Sequence, residues 1–217
     1  KFESIVLRNS GNDNMQLQFH DCFMTGLTRN MDIDRQAFQP VAVYLNGEYW
    51  GIMNIREKVN EHFVAGNHHL DPDEVNLLEY DAGIIHGTNA DYLVLRDYLN
   101  AHSSLQNNED YYYIRDRIDP DNYIQYQLTQ IYLNNHDWPG NNIKYWSTAQ
   151  NRPWRWILFD TDFGYMIGEV ENNTLAFTLE PNGDDWPNPP WSTLLFRRLV
   201  SNREFRNDFV IQYCDRL

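Results

Sequence analysis

The stretch that most constrains this chain runs from Asn134 to Gly164, NNHDWPGNNIKYWSTAQNRPWRWILFDTDFG. It opens on an acidic loop, His136-Asp137-Trp138-Pro139-Gly140-Asn141-Asn142, directly after a segment of helical character. Two short runs rich in aromatic and β-branched residues follow, Ile143–Ser147 and Trp154–Phe159, and read as the arms of a hairpin. A second acidic turn, Asp160-Thr161-Asp162-Phe163-Gly164, closes it. A hairpin brings the chain back beside its start, so the two acidic turns are expected side by side.

Oxygen donors on neighbouring turns suit a hard divalent cation that bridges phosphates. In protein kinases a catalytic-loop Asp is followed five positions later by a magnesium-binding Asn. A hairpin then leads to an Asp-Phe-Gly whose Asp also binds magnesium. Asp137 and Asn142 have that spacing, and Asp162-Phe163-Gly164 has that place. Asn142 and Asp162 therefore suit the metal, with Asp160 as a supporting or alternative ligand. Asp137 suits the proton acceptor for an incoming hydroxyl, which must not itself be a ligand. The competing reading makes Asp137 and Asp160 turn residues, as Asp commonly is beside Pro and Gly. His136 falls one place from where kinases carry their histidine and is assigned no role.

The 217 residues suffice for one sizeable domain or a two-lobed unit. With 42% hydrophobic and 15% aromatic residues, a packed core is expected rather than disorder. A net charge of −14 repels nucleic acid and anionic membranes and favours metal or cationic partners. Cys22 and Cys214 define neither a disulfide framework nor a zinc site, and their redox state stays open. No apolar run approaches the ~20 residues of a membrane span, so no membrane insertion is expected. No signal peptide is visible, and the abrupt start at Lys1 reads as that of a mature or trimmed fragment.

Along the chain, Ser4–Arg8 reads as a strand and Met15–Asn30 as a helix. Val41–Leu45 and Tyr49–Met53 flank Asn46-Gly47, the clearest hairpin signal present. A short helix over Glu57–Ala65, a strand over Val75–Tyr80 and a helix over Asp91–Ala101 follow. Asp119-Pro120 starts the helix that runs to the acidic loop, with Asp as cap and Pro in the first turn. Gly164–Trp191 reads as a long irregular loop. Two helices, Ser192–Val200 and Arg203–Leu217, close the chain, with Asn202 capping the second.

Several blocks resemble the spore-coat-protein-H (CotH) kinases, secreted or spore-associated atypical protein kinases. They are Leu7-Arg8-Asn9-Ser10-Gly11-Asn12-Asp13, Pro40 to Ile52 around Leu45-Asn46-Gly47-Glu48, Arg56-Glu57-Lys58, Asn135 to Asn142, and Trp156 to Gly164. The resemblance implies an α+β, reduced protein-kinase-like bilobal fold over residues 1–217. Residues 1–56 would be the remainder of the N-terminal lobe and the hinge, with Asn54–Lys58 beside the adenine, and 57–217 the C-terminal lobe. It implies ATP as co-substrate, Mg2+ (or Mn2+), and phosphorylation of Ser or Thr on coat or secreted proteins. It also implies an exported protein of the cell surface or spore coat. By position Asp137 would be catalytic and Asn142 and Asp162 metal ligands. The family's glycine-rich loop and strand lysine have no match here and are expected before Lys1, so the N-terminal lobe reads as truncated. The fragment alone is then expected to transfer little phosphate.

Other candidates have two readings each. Arg56, Glu57 and Lys58 would hold the nucleotide, or simply begin a solvated helix. Arg8 would pair with an acidic site residue or contact phosphate or substrate, or lie on the surface. Lys144 points into the cleft or away from it. His68-His69 with Asp71 and Asp73 lacks the spacing of a zinc motif and reads as solvated loop. Trp138, Trp146, Trp154 and Trp156 read as hairpin packing rather than as a stacking platform. Two rival functions stay open: an aspartate-based phosphatase using Asp160 and Asp162, and a non-catalytic coat or adhesion scaffold that keeps the fold. Substrate and oligomeric state are not legible.

Overall fold

The chain first builds a small antiparallel sheet. Strand β1 (Ile5–Arg8) leads through a 3-10 turn over Gly11–Asp13 into helix α1 (His20–Leu27). A two-residue strand, β2 (Asp34–Arg35), precedes β3 (Phe38–Leu45) and β4 (Glu48–Glu57). Asn46 and Gly47 turn this hairpin with φ of 52° and 87°, the two positive angles that a two-residue loop requires. The strand order is β1-β4-β3. The computed structural model describes residues 3–150, 152–165 and 171–216.

Two sequence expectations need correction here. The helix expected from Met15 begins only at His20. The buried Asp13 carboxylate takes the backbone N–H groups of Leu17 (2.8 Å) and His20 (2.9 Å), and Gln18 sits at φ 63°. An Asp side chain that captures local amides offers the backbone an alternative to helix. The helix expected from Glu57 likewise starts later. Residues Asn54 to Glu57 pair with Arg8 to Ile5 as the end of β4, so the expected hinge is mostly strand. Asn60 then caps helix α2 (Glu61–His68) by accepting from the Phe63 amide at 3.0 Å.

The larger part of the chain continues with β5 (Val75–Glu79), β6 (Gly83–His86), α3 (Ala90–Ala101), α4 (Asn108–Arg115) and α5 (Pro120–Tyr132). Then come β7 (Lys144–Thr148), β8 (Arg152–Leu158), α6 (Thr174–Leu179), α7 (Leu194–Leu199) and α8 (Arg203–Arg216). A five-stranded sheet orders these as β2-β8-β7-β5-β6, antiparallel except where β2 meets β8. The fold class is α+β. Asp119 caps α5 through the Asn122 amide (3.0 Å), and Asn202 caps α8 through the Glu204 amide (2.8 Å), as their sequence positions indicate. Helix α6 interrupts the stretch expected as irregular loop. Asn173 caps it, accepting from the Ala176 amide at 2.9 Å. Residues 166–170 of that stretch lie outside the described residues.

Alternation along the strands divides the core in two. Tyr145, Trp154, Trp156 and Leu158 pack on one face with Tyr123 and Tyr126 of α5. Leu77, Trp146 and Ile157 pack on the other with Phe63 and Val64 of α2. Trp138, Trp146, Trp154 and Trp156 are all buried, so they serve packing and form no exposed stacking surface. His68 is not part of a solvated loop. It ends α2 with its Nε2 2.6 Å from Asp34 Oδ1.

Asp34 ties α2 to the second face of the sheet. Its Oδ2 accepts from Trp146 Nε1 at 2.8 Å and lies 3.5 Å from Arg155 Nε. Burial opposes the ionised Asp34, but the bonds from His68 and Trp146 and the Arg155 charge outweigh it and hold the carboxyl below its ordinary value. That contribution to stability is present above the unfolded carboxylate value and is lost as pH falls through the lower folded one. Asp34→Asn should therefore cost about 1–3 kcal/mol at neutral pH, read by urea denaturation, with a smaller cost in acid. An equal cost at both pH values would contradict the ionic role.

Candidate active site

The acidic loop is held from both ends. Helix α5 stops where Asn134 adopts φ 51°, a left-handed conformation that Asn tolerates. The buried Asn135 then donates to Gln130 Oε1 (2.8 Å) and accepts from the Asp137 amide (3.1 Å). Trp138 is buried at 1% exposure, edge-on to Tyr126 in the core. Gly140 lets a proline-rich segment lie against the loop, because a Cβ there would collide with Pro187 and Pro189. Thr174 of α6 donates to Asn134, so that helix also braces the loop.

This scaffold aims the polar side chains at one another. The Asp137 carboxylate accepts from Asn141 Nδ2 and Asn142 Nδ2, each at 2.8 Å. Burial pushes the Asp137 carboxyl up, against the opposing bond from Asn141. Asn142 takes φ 53°, and its Nδ2 lies 3.5 Å from the Asp160 carbonyl. Asp160 is itself left-handed at φ 53°. Left-handed non-glycine residues store strain and gather at functional sites. The two turns thus meet across the β7–β8 hairpin, as their order in the sequence implies.

The second turn faces the small sheet. Asp162 is 1% exposed, and its Oδ2 accepts from the Asn12 amide (3.0 Å) and lies 3.1 Å from Arg8 Nη2. Arg8 Nη2 also binds Asp160 Oδ1. Of the two readings of Arg8, the structure thus has it paired with acidic residues of the second turn. Between these acids, Thr161 donates its amide to Asp21 Oδ1 at 2.7 Å, and Asp21 forms a buried ion pair with Arg56. Burial works against the ionised Asp21, but the Arg56 charge and the Thr161 amide hold its carboxyl below the usual value. Burial, and then the neighbouring Asp160 charge, push the Asp162 carboxyl up to about 6, against the pull of the Asn12 amide and Arg8.

Of the remaining candidates, Arg56, Glu57 and Lys144 pair with groups outside the two acidic turns. Arg56, expected at a solvated helix start or on a nucleotide, is instead buried within β4, bound to Asp21 and 3.3 Å from Gln36 Oε1. Even alternation from Asn54 to Arg56 turns that side chain inward. Glu57 accepts from the Ala37 amide at 2.8 Å. Glu57 and Lys58 border a surface pocket with Asn60, His62 and Asn67, and no residue of the acidic turns lines it. Lys144 pairs with Glu79 on the adjacent strand at 2.7 Å, over the Phe159 ring. Sequence reasoning missed Asp21, which sits in a helical run with no spacing signal. It also missed Asn141 as a partner of Asp137, and the Gly11-Asn12 backbone as a neighbour of Asp162.

Among the described residues, no group of three or more His, Cys, Asp or Glu side chains forms a ready cation site. A partial one exists: Asp162 Oδ1 is buried with no hydrogen-bond partner, and Asn142, whose Nδ2 is engaged by Asp137 and the Asp160 carbonyl, has its Oδ1 as the atom that could bind a cation. Magnesium usually takes one or two protein carboxylates and completes its shell with water and substrate phosphates. The donors present therefore fit a magnesium ion that arrives with a nucleotide.

An acid–amide pair beside a buried, incompletely paired carboxylate is the kind of site that kinase-like proteins build at the end of such a hairpin. A sequence model of the CotH kinase protein family matches residues 1–215, and the chain belongs to that family. The family is kinase-like and associated with the spore coat. No curated protein sequence matches the chain. Among the described residues, no helix is long and apolar enough to cross a membrane.

The raised Asp162 carboxyl has a measurable consequence. It binds its proton more tightly in the folded chain, so the associated stability is present below the ordinary carboxylate value and is lost as pH rises through about 6. Asp162→Asn cannot ionise. It should gain on the wild type by about 1–3 kcal/mol between about pH 4 and pH 7 in urea denaturation. A difference that does not vary with pH would show that Asp162 titrates normally.

Proposed function

We propose that this chain is an ATP- and magnesium-dependent atypical protein kinase acting on Ser or Thr of coat or secreted proteins. The observation that carries this reading is the contact of Asp137 with Asn142, and of Asn142 with the turn that bears Asp162. Family membership supports the phosphotransfer class. The antiparallel β7–β8 hairpin ahead of Asp160 speaks for it over an aspartate-based phosphatase, whose nucleophile follows a strand of a parallel sheet. We read residues 1–217 as a single domain, with the site between the small sheet and the remainder, and the protein as exported to the cell surface or spore coat.

Bound magnesium and ATP would supply the phosphoryl group and neutralise its charge. Asp162 and Asn142 would hold the metal, with Asp160 in support. Asp137 would accept the proton of the substrate hydroxyl as its oxygen bonds to phosphorus and the bond to ADP breaks. Its two amide donors keep the carboxylate fixed in place, and its raised pKa brings it nearer the range where a base works well.

In the full-length protein, Asp137→Asn should leave ATP–magnesium binding near normal and cut phosphate transfer by roughly 10²–10⁴-fold, the usual worth of a positioned base. Asp162→Asn should instead abolish metal-dependent nucleotide binding, measured by calorimetry. Loss of binding together with turnover in the Asp137 variant would make Asp137 a metal ligand. No change in either variant would overturn the kinase assignment of these turns.

A further inference from the structure

Arg8 occupies a position that the phosphotransfer reading does not explain. Its backbone is fixed in the sheet opposite Asn54, while its side chain is 21% exposed at the edge of the acidic turns. One terminal nitrogen, Nη2, reaches both Asp160 and Asp162. Its Nε is buried with no acceptor, so the guanidinium has donor capacity that the two carboxylates do not use.

The surroundings make this charge matter. Asp160 and Asp162 meet here with Asp21 close behind Thr161, and Arg56 is already committed to Asp21. Arg8 is what offsets Asp160 and Asp162. The Gly11 turn covers the pair from above. With φ +58°, Gly11 comes so close that a Cβ would lie 2.5 Å from Asp162 Oδ2 and 2.7 Å from Arg8 Nη2. A side chain at this position would have to displace the Arg8 guanidinium and the Asp162 carboxylate and would strain the backbone.

We propose that Arg8 is a counterion latch, which in the nucleotide-free protein occupies Asp160 and Asp162 and excludes a free divalent cation. When metal and nucleotide arrive together, the cation replaces the guanidinium on the carboxylates and Arg8 passes to the phosphate oxygens. A planar guanidinium suits both partners, since it binds carboxylate and phosphate in the same forked geometry. The second half rests on the kinase reading, and the first half does not. Metal and nucleotide would then bind with positive coupling, each weak alone.

The test titrates manganese chloride, with and without a non-hydrolysable ATP analogue, into the full-length wild type, Arg8→Gln and Arg8→Lys. Free manganese is followed by electron paramagnetic resonance, and folding by thermal denaturation. Without nucleotide, Arg8→Gln should bind manganese on the order of tenfold more tightly than the wild type, within the usual range of coupling between sites. With the analogue present it should bind the pair on the order of tenfold more weakly. Arg8→Lys, whose ammonium keeps the charge but lacks the planar fork, should fall between and decides the matter if Arg8→Gln does not fold. Unchanged or weaker binding of manganese alone in both variants overturns the latch. Tighter manganese binding with no analogue binding in any form of the protein keeps the latch and overturns the phosphate arm and the kinase reading.

Discussion

The pairing of two arginines with three aspartates is the interaction on which the site depends. Arg8 and Arg56 come from the small sheet, Asp21 from α1, and Asp160 and Asp162 from the turn after β8. Arg56, Asp21 and Asp162 are buried, and buried charges are tolerated only when partnered, since removing one partner leaves an uncompensated charge. The pairs therefore fix how the small sheet meets the acidic turn. Strand β4 must extend to Glu57 to present Arg56 inward, and α1 must begin at His20 to bring Asp21 beneath Thr161. Asp13 secures that start by accepting from the Leu17 amide ahead of the helix and from the His20 amide at its first residue.

Within this frame the acids occupy unlike environments. Asp21 is fully partnered and stays ionised below the usual range, so it acts in positioning. Asp162 keeps one buried oxygen without a partner, and burial raises its carboxyl. Asp137 stands further out between two amides and is raised more by burial than by any neighbour. Differences of this kind separate a structural acid, a ligand and a base built from one residue type.

The parts legible in the sequence are those whose signals are local. Asn46-Gly47 dictates its own turn, Asp119-Pro120 its own helix start, and Asn202 its own cap. The spacing of Asp137, Asn142 and Asp162 was legible because a hairpin of fixed length joins the two turns. What escaped depends on distant partners. Arg56 reads as a surface charge until Asp21 is placed beside it. Lys144 reads either way until Glu79 pairs with it across β5 and β7. The helix expected from Met15 has adequate propensity, and one buried aspartate overrides it.

The most direct measurement is a crystal structure of the full-length protein with manganese and a non-hydrolysable ATP analogue, with the metal located by anomalous scattering. The expected result is a manganese ion bonded to the now-unpartnered Oδ1 of Asp162 and to the Asn142 side chain, with Asp137 outside its coordination shell and facing the γ-phosphate. A metal bound directly to Asp137, or a nucleotide seated away from the Asp160–Asp162 turn, would contradict the assignment of base and ligands.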